Sequence, residues 1–204
     1  MSFPKSWFRG RPKMNLPNRL TIGRFFLTVL FVFCLSSTFP FSRTIGLVLF
    51  IVAGITDYMD GEIARRCSLV TDFGKLMDPV VDKIMIAAAF VCLVALRAVP
   101  AWVAITIISR EFLITGLRML AASKGKILPA ESMGKHKTVW QILTVLFFLG
   151  MLALGEIHHF GAAKWWEFTL RYGGMLFIAC ALGFTLYSGF GYLWKNRALI
   201  QTGQ

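Results

Sequence analysis

All five aspartates of this 204-residue chain fall between Asp57 and Asp82. Asp57, Asp60, Gly61, Ala64 and Arg65 follow the i, i+3, i+4, i+7, i+8 spacing of one helical stripe. Gly74, Asp78 and Asp82 step by four and form a second stripe. The link 66–73 is short, so the two helices are expected to run antiparallel, side by side, with their acidic stripes converging at one end. Two unit charges about 4 Å apart repel by about 4 kcal/mol at an effective dielectric of about 20. Protonation or bound cations must relieve that repulsion. An all-oxygen ligand set favours Mg²⁺, Mn²⁺ or Ca²⁺ over zinc or copper. The histidines, His136, His158 and His159, lie far from the cluster in sequence. Two divalent ions bridged by shared carboxylates suit an oxygen displacement at phosphorus. Gly61, Ala64 and Gly74 lack bulk and let a ligand approach the backbone, and Arg65 is placed to meet a phosphate. Blander readings stand beside these. Asp78 before Pro79 is also the pattern of a helix cap and first residue. If the helix starts near Asp72 instead, Pro79 falls inside it and should kink it. Gly61, Ala64 and Gly74 are also residue types that let membrane helices pack closely.

The elements that carry these stripes must be membrane spans. Hydrophobic residues make up 56% of the chain and charged residues 16%, with 19 Phe and 6 Trp. A soluble domain has about 45–50% apolar and roughly 25% charged residues. A disordered chain, a collagen and an ordinary water-soluble enzyme are therefore excluded. The expected fold is all-α: a polytopic membrane protein with six transmembrane helices in one bundle. The spans are 20–39, 42–61, 78–99, 101–122, 139–158 and 173–194, each near the roughly 20 apolar residues a bilayer requires. Residues 1–19 form a basic, aromatic-bearing segment expected to lie on the cytoplasmic membrane surface. Residues 20–194 form the catalytic domain and 195–204 a cytoplasmic tail. No cleaved leader is expected, because no small-residue cleavage site follows the basic segment.

With both termini in the cytoplasm, fourteen lysines and arginines fall inside and four outside. That is a positive-inside bias. Trp165 and Trp166 then suit an outer interfacial belt. The net charge of +12 reads as cytoplasmic loops and anionic headgroups, so no nucleic-acid partner is expected. Cys34, Cys67, Cys92 and Cys180 form no Cys-x-x-Cys pair and read as small buried hydrophobes.

The pattern Asp57-x-x-Asp60-Gly61-x-x-Ala64-Arg65, eight residues, Gly74-x-x-x-Asp78-x-x-x-Asp82 resembles the signature of the CDP-alcohol phosphotransferase family at every fixed position. The resemblance implies a membrane enzyme that displaces CMP from a CDP-linked lipid or alcohol. It implies a six-helix, usually dimeric fold and two divalent cations, Mg²⁺ or Mn²⁺. Asp57, Asp60, Asp78 and Asp82 would be the metal ligands, and Asp82 also the general base. Asn18, Thr21, Asp57, Gly61, Arg65, Thr71 and Gly74 would hold the CDP-lipid. Three further segments resemble one branch of that family, which uses CDP-diacylglycerol and glycerol 3-phosphate. They are Asn15-Leu16-Pro17-Asn18-Arg19-Leu20-Thr21, Ser109-Arg110-Glu111-Phe112-Leu113 with Gly116-Leu117-Arg118, and Gly134-Lys135-His136-Lys137-Thr138 with Gln141. A bacterial inner membrane is implied by the same likeness. Beyond Gln141 only spans are legible.

Arg110 and Arg118 also have a physical reading. They lie in the fourth span, where a cation needs an anion. Lys135 and Lys137 flank its cytoplasmic side. Together the four form a basic pocket suited to the phosphate of glycerol 3-phosphate. The alternative is internal pairing, such as Arg110 with Glu111 or an aspartate, and headgroup contact by the lysines. The pocket disfavours serine or phosphatidylglycerol as acceptors and discriminates poorly against inositol phosphate. A divalent-cation transporter would also use intramembrane carboxylates. Transporters usually carry repeated halves and a midplane site; no repeat is visible here.

Overall fold

The computed structural model describes residues 16–67, 72–123, 133–158 and 164–197, with side chains over 22–56, 83–122, 135–157 and 165–197. Every regular element among them is helical. The elements are α1 (Leu16–Ser36), α2 (Ser42–Cys67), α3 (Asp72–Ala95), α4 (Ala101–Ser123), α5 (Met133–His158), α6 (Lys164–Phe168) and α7 (Gly174–Lys195), with a π-helical turn, Thr169–Gly173, joining the last two. The six long helices overlap the six segments expected as spans, with different ends. The short α6 and its π turn were not expected.

Two boundaries matter for the chemistry. α2 runs past residue 61 to Cys67, so all five positions of the first stripe are helical. α3 begins at Asp72, so Pro79 lies within the helix and Asp78 is not its cap. The expected start at residue 78 was too late: the polar first turns lowered the apolar signal, while the backbone was already helical.

The helices pack as a closed ring, α1–α2–α5–α7–α4–α3 and back to α1, crossed by a contact between α3 and α5. Among the described residues α2 and α3 are not one of the packed pairs. The facing ends of α2 and α3, where side-by-side stripes are expected, have side chains outside the described residues. The core on which the ring closes includes Phe31, Phe50, Phe90, Leu93, Ile107, Val145 and Leu149.

The distribution of polarity is inverted relative to a soluble protein. Phe26, Phe33, Trp102, Phe112 and Phe190 are between 60% and 68% exposed. Gln141, Thr144, Thr185 and Ser188 are buried. Burying such polar groups costs free energy unless they are bonded. Gln141 Nε2 donates to Thr185 Oγ1 at 3.1 Å, which ties α5 to α7. An apolar exterior is favourable against lipid, and the chain is a membrane protein. Among the described residues two stretches, Lys135–Ile157 and Trp165–Lys195, are long and apolar enough to cross a bilayer. Trp165 is exposed, whereas Trp166 turns inward and is buried.

The ends of the helices are held by specific bonds. α3 closes with Arg97 in the left-handed region at φ 56°. Ala98 N–H donates to the Leu93 carbonyl at 2.9 Å and Arg97 N–H to Val94 at 2.9 Å, the paired bonds of a Schellman closure. At the same end of the bundle Glu156, near the end of α5, caps α2. It accepts from Arg43 N–H at 3.0 Å, Thr44 N–H at 2.9 Å and Thr44 Oγ1 at 3.0 Å. The first amides of α2, which have no partner within their own helix, are satisfied there.

Candidate active site

α2 and α3 face one another across a small cavity of about 140 Å³, lined by Ala53 and Gly54 of α2 and by Met85 and Ile86 of α3. On a helix Ala53 and Gly54 precede Asp57 by one turn on its own stripe, and Ile86 follows Asp82 by one turn. The two stripes that carry the aspartates therefore extend to the two walls of one cavity. The gap leaves space between helices that direct packing would close. Arg24 of α1, 2% exposed, lines the same cavity.

A second cavity of about 250 Å³ opens beside it, among α3, α4, α5 and α7. Its wall carries five cations, Lys83, Arg110, Arg118, Lys135 and Lys137. Among the described residues one carboxylate, Glu111, faces them. Glu111 pairs with Lys137 and, at 3.4 Å, with Arg110. Lys83 donates to Thr115 Oγ1. Arg110 Nη2 donates to Ser188 Oγ at 3.0 Å, and Arg118 Nε to Tyr192 Oη at 3.2 Å. An adjoining cavity of about 260 Å³ shares Lys83, Glu111, Arg118 and Thr138 and reaches Ile86 and Gln141. The basic compartment thus leads towards the stripe of Asp82 through Lys83 and Ile86.

The electrostatics follow from this census. Cations in a low-dielectric wall repel one another unless an anion sits among them. Among the described residues Glu111 is the one carboxylate in this wall, and the cations gathered there suit an anionic ligand. A guanidinium fork suits phosphate oxygens, because its donors match their spacing.

The four cations expected from the sequence to form one pocket, Arg110, Arg118, Lys135 and Lys137, do line one cavity. Both expected arrangements coexist: Arg110 pairs with Glu111 and still lines the cavity. Lys137, 6% exposed, is engaged by Glu111, whereas Lys135 is exposed. Asn18 and Thr21 lie in α1; Asp57, Asp60, Gly61 and Arg65 in α2; Gly74, Asp78 and Asp82 in α3. Their side chains lie outside the described residues, and Thr71 lies outside them altogether. Sequence reasoning missed Lys83, Arg24 and Tyr192 as parts of these cavities. Lys83 and Arg24 had a signal, a cation within a span, but nothing in the chain order says what they line. Tyr192 had none.

Six long helices with an apolar exterior and a cavity lined by five cations suit a membrane enzyme that acts on phosphate esters. Residues 14–186 match the family model of the CDP-alcohol phosphatidyltransferases, and the chain belongs to that family. It is 36% identical over 200 residues to the CDP-diacylglycerol–glycerol-3-phosphate 3-phosphatidyltransferase of Bacillus subtilis, covering 92% of this chain and 98% of that one. It is 38% identical over 142 residues to the protein of the same name from Rickettsia bellii, covering 70% and 76%. It is 34% identical over 153 residues to a probable phosphatidylglycerophosphate synthase of Mycobacterium tuberculosis, covering 73% and 72%.

Proposed function

We propose that the protein transfers the phosphatidyl group of CDP-diacylglycerol to glycerol 3-phosphate, giving phosphatidylglycerophosphate and CMP. The observation that carries this reading is the basic cavity beside the Asp82 stripe, because an acceptor that brings its own phosphate needs such a cavity and an uncharged acceptor does not. The names of the relatives give the same pair of substrates.

The donor set fits divalent metal: four carboxylates on two helical stripes, with no sulfur or imidazole among them. Asp57, Asp60, Asp78 and Asp82 would hold two cations, Mg²⁺ or Mn²⁺, which when bound neutralise the pyrophosphate and stabilise the departing CMP. Asn18, Thr21, Gly61, Arg65, Thr71 and Gly74 would hold the CDP-lipid, the small residues by giving its cytidine and phosphates access to backbone. Arg110, Arg118, Lys135 and Lys137 would hold the acceptor phosphate, with Lys83 beside them. Asp82 would take the proton from the 1-hydroxyl of glycerol 3-phosphate as that oxygen attacks the phosphorus bearing diacylglycerol. Fixing both substrates on one rigid bundle supplies the orientation on which the rate depends. In this reading residues 1–19 lie on the membrane surface, 20–194 form the enzyme, and 195–204 are a tail. The termini and site face the cytoplasm of a bacterial inner membrane, where charge favours them, and two copies form a dimer.

The test is CMP release by the purified protein in detergent with CDP-diacylglycerol and Mg²⁺, offering one acceptor at a time. Chelator-sensitive release with glycerol 3-phosphate, and not with serine or inositol phosphate, is expected. Release with inositol phosphate alone would keep the metal site and overturn the acceptor assignment.

A further inference from the structure

Resting on that reading, we propose that Ser188, Gly189 and Tyr192 of α7 are positioning residues that aim Arg110 and Arg118 at the acceptor phosphate. An arginine has a long stem and loses up to about 2 kcal/mol of rotamer freedom when it is fixed. A site that must present two guanidinium forks at a set spacing needs something rigid to hold them. Arg110 and Arg118 lie on α4 two turns apart, on one face, and α7 packs against α4.

α7 meets each arginine differently. The Ser188 hydroxyl donates to the Phe184 carbonyl at 2.6 Å, which fixes its rotor and leaves its lone pairs for Arg110 Nη2 at 3.0 Å. The other terminal nitrogen of Arg110 faces Glu111 at 3.4 Å, so the guanidinium is held from two sides. The stem of Arg110 crosses α7 at Gly189. A Cβ there would lie 3.0 Å from Arg110 Cγ and 3.1 Å from Nε, so any side chain would push the arginine aside. Tyr192 is 3% exposed and therefore cannot follow a moving partner. Its ring lies 5.2 Å from the Arg118 guanidinium carbon, and its hydroxyl accepts from Nε at 3.2 Å. That bond uses one of the five guanidinium donors. Ser188, Gly189 and Tyr192 are all buried on the side of α7 that meets α4.

Steady-state kinetics of the full-length protein in detergent test this, with CDP-diacylglycerol and glycerol 3-phosphate varied in turn. Tyr192→Phe removes the hydroxyl and keeps the ring. It should raise the apparent KM for glycerol 3-phosphate about threefold to tenfold, the range of one ordinary lost hydrogen bond. Ser188→Ala should act similarly, and Gly189→Ala at least as strongly, because a small displacement of a positioned group is costly. The KM for CDP-diacylglycerol and the melting temperature of Tyr192→Phe should stay at the wild-type values. A merely structural role would lower stability and leave the two KM values in proportion. An unchanged KM for glycerol 3-phosphate in folded Tyr192→Phe and Ser188→Ala, or an equal rise in both KM values, overturns the proposal. The wild type separates the two readings: absence of glycerol 3-phosphate-dependent CMP release there sinks the assigned reaction, whereas activity with indifferent variants sinks only the positioning role.

Discussion

The two ends of α5 carry opposite solutions to the same problem. Lys137, near the start, and Glu156, near the end, are separated by about 28 Å at about 1.5 Å per residue. At the far end a single carboxylate, Glu156, collects two backbone amides, two hydroxyls and the Arg43 side chain, with contacts from 2.9 to 3.9 Å. Its charge and lone pairs are satisfied within the fold. At the near end five cations line one cavity against Glu111. Stability selects the first arrangement. The second gathers donors of the kind that a phosphate accepts from. The proposed acceptor site rests on this contrast between a carboxylate used within the fold and a cluster of cations around a cavity.

The comparison breaks most sharply at the acid stripe bordering the basic end. Asp82→Asn should lower turnover by about 10²–10⁴-fold, the worth of a positioned base, and largely spare CDP-lipid binding. Near-normal activity in that variant would remove Asp82 as the base. Next in size, Arg118→Ala should raise the apparent KM for glycerol 3-phosphate about tenfold to a hundredfold, with CDP-diacylglycerol affinity unchanged. An unchanged acceptor KM would refute the phosphate pocket. The balanced end should respond in the other currency. Glu156→Ala uncaps α2 and should cost about 1–2 kcal/mol of stability, read as a lower melting temperature in detergent. Its KM values should not move; a selective change for one substrate would mean that the two ends are not separable. The smallest effect is expected at Lys135→Ala. This lysine is exposed on the rim, and its loss should change the acceptor KM by about twofold to threefold, declining with added salt.

Helical periodicity made much of this protein legible in advance. Six long helices and the basic quartet that lines one cavity follow from spacing and charge. The register of apolar residues says where a helix lies but not where its polar end turns begin. For that reason α3 was expected from residue 78 and starts at Asp72. A short link predicts neighbours in space, and α2 and α3 border one cavity through Ala53, Gly54, Met85 and Ile86.

The sequence alone determined the residue types suited to phosphate and metal, their helical spacing and the membrane setting, because those are local properties of pattern and composition. Only the tertiary structure decided that Ser188, Gly189 and Tyr192 hold the arginines, that Glu111 engages Lys137, and that Lys83 joins the basic wall. Those contacts join residues from different helices of the ring. A serine, a glycine or a tyrosine in an apolar span carries no local sign of the arginine that folding brings against it.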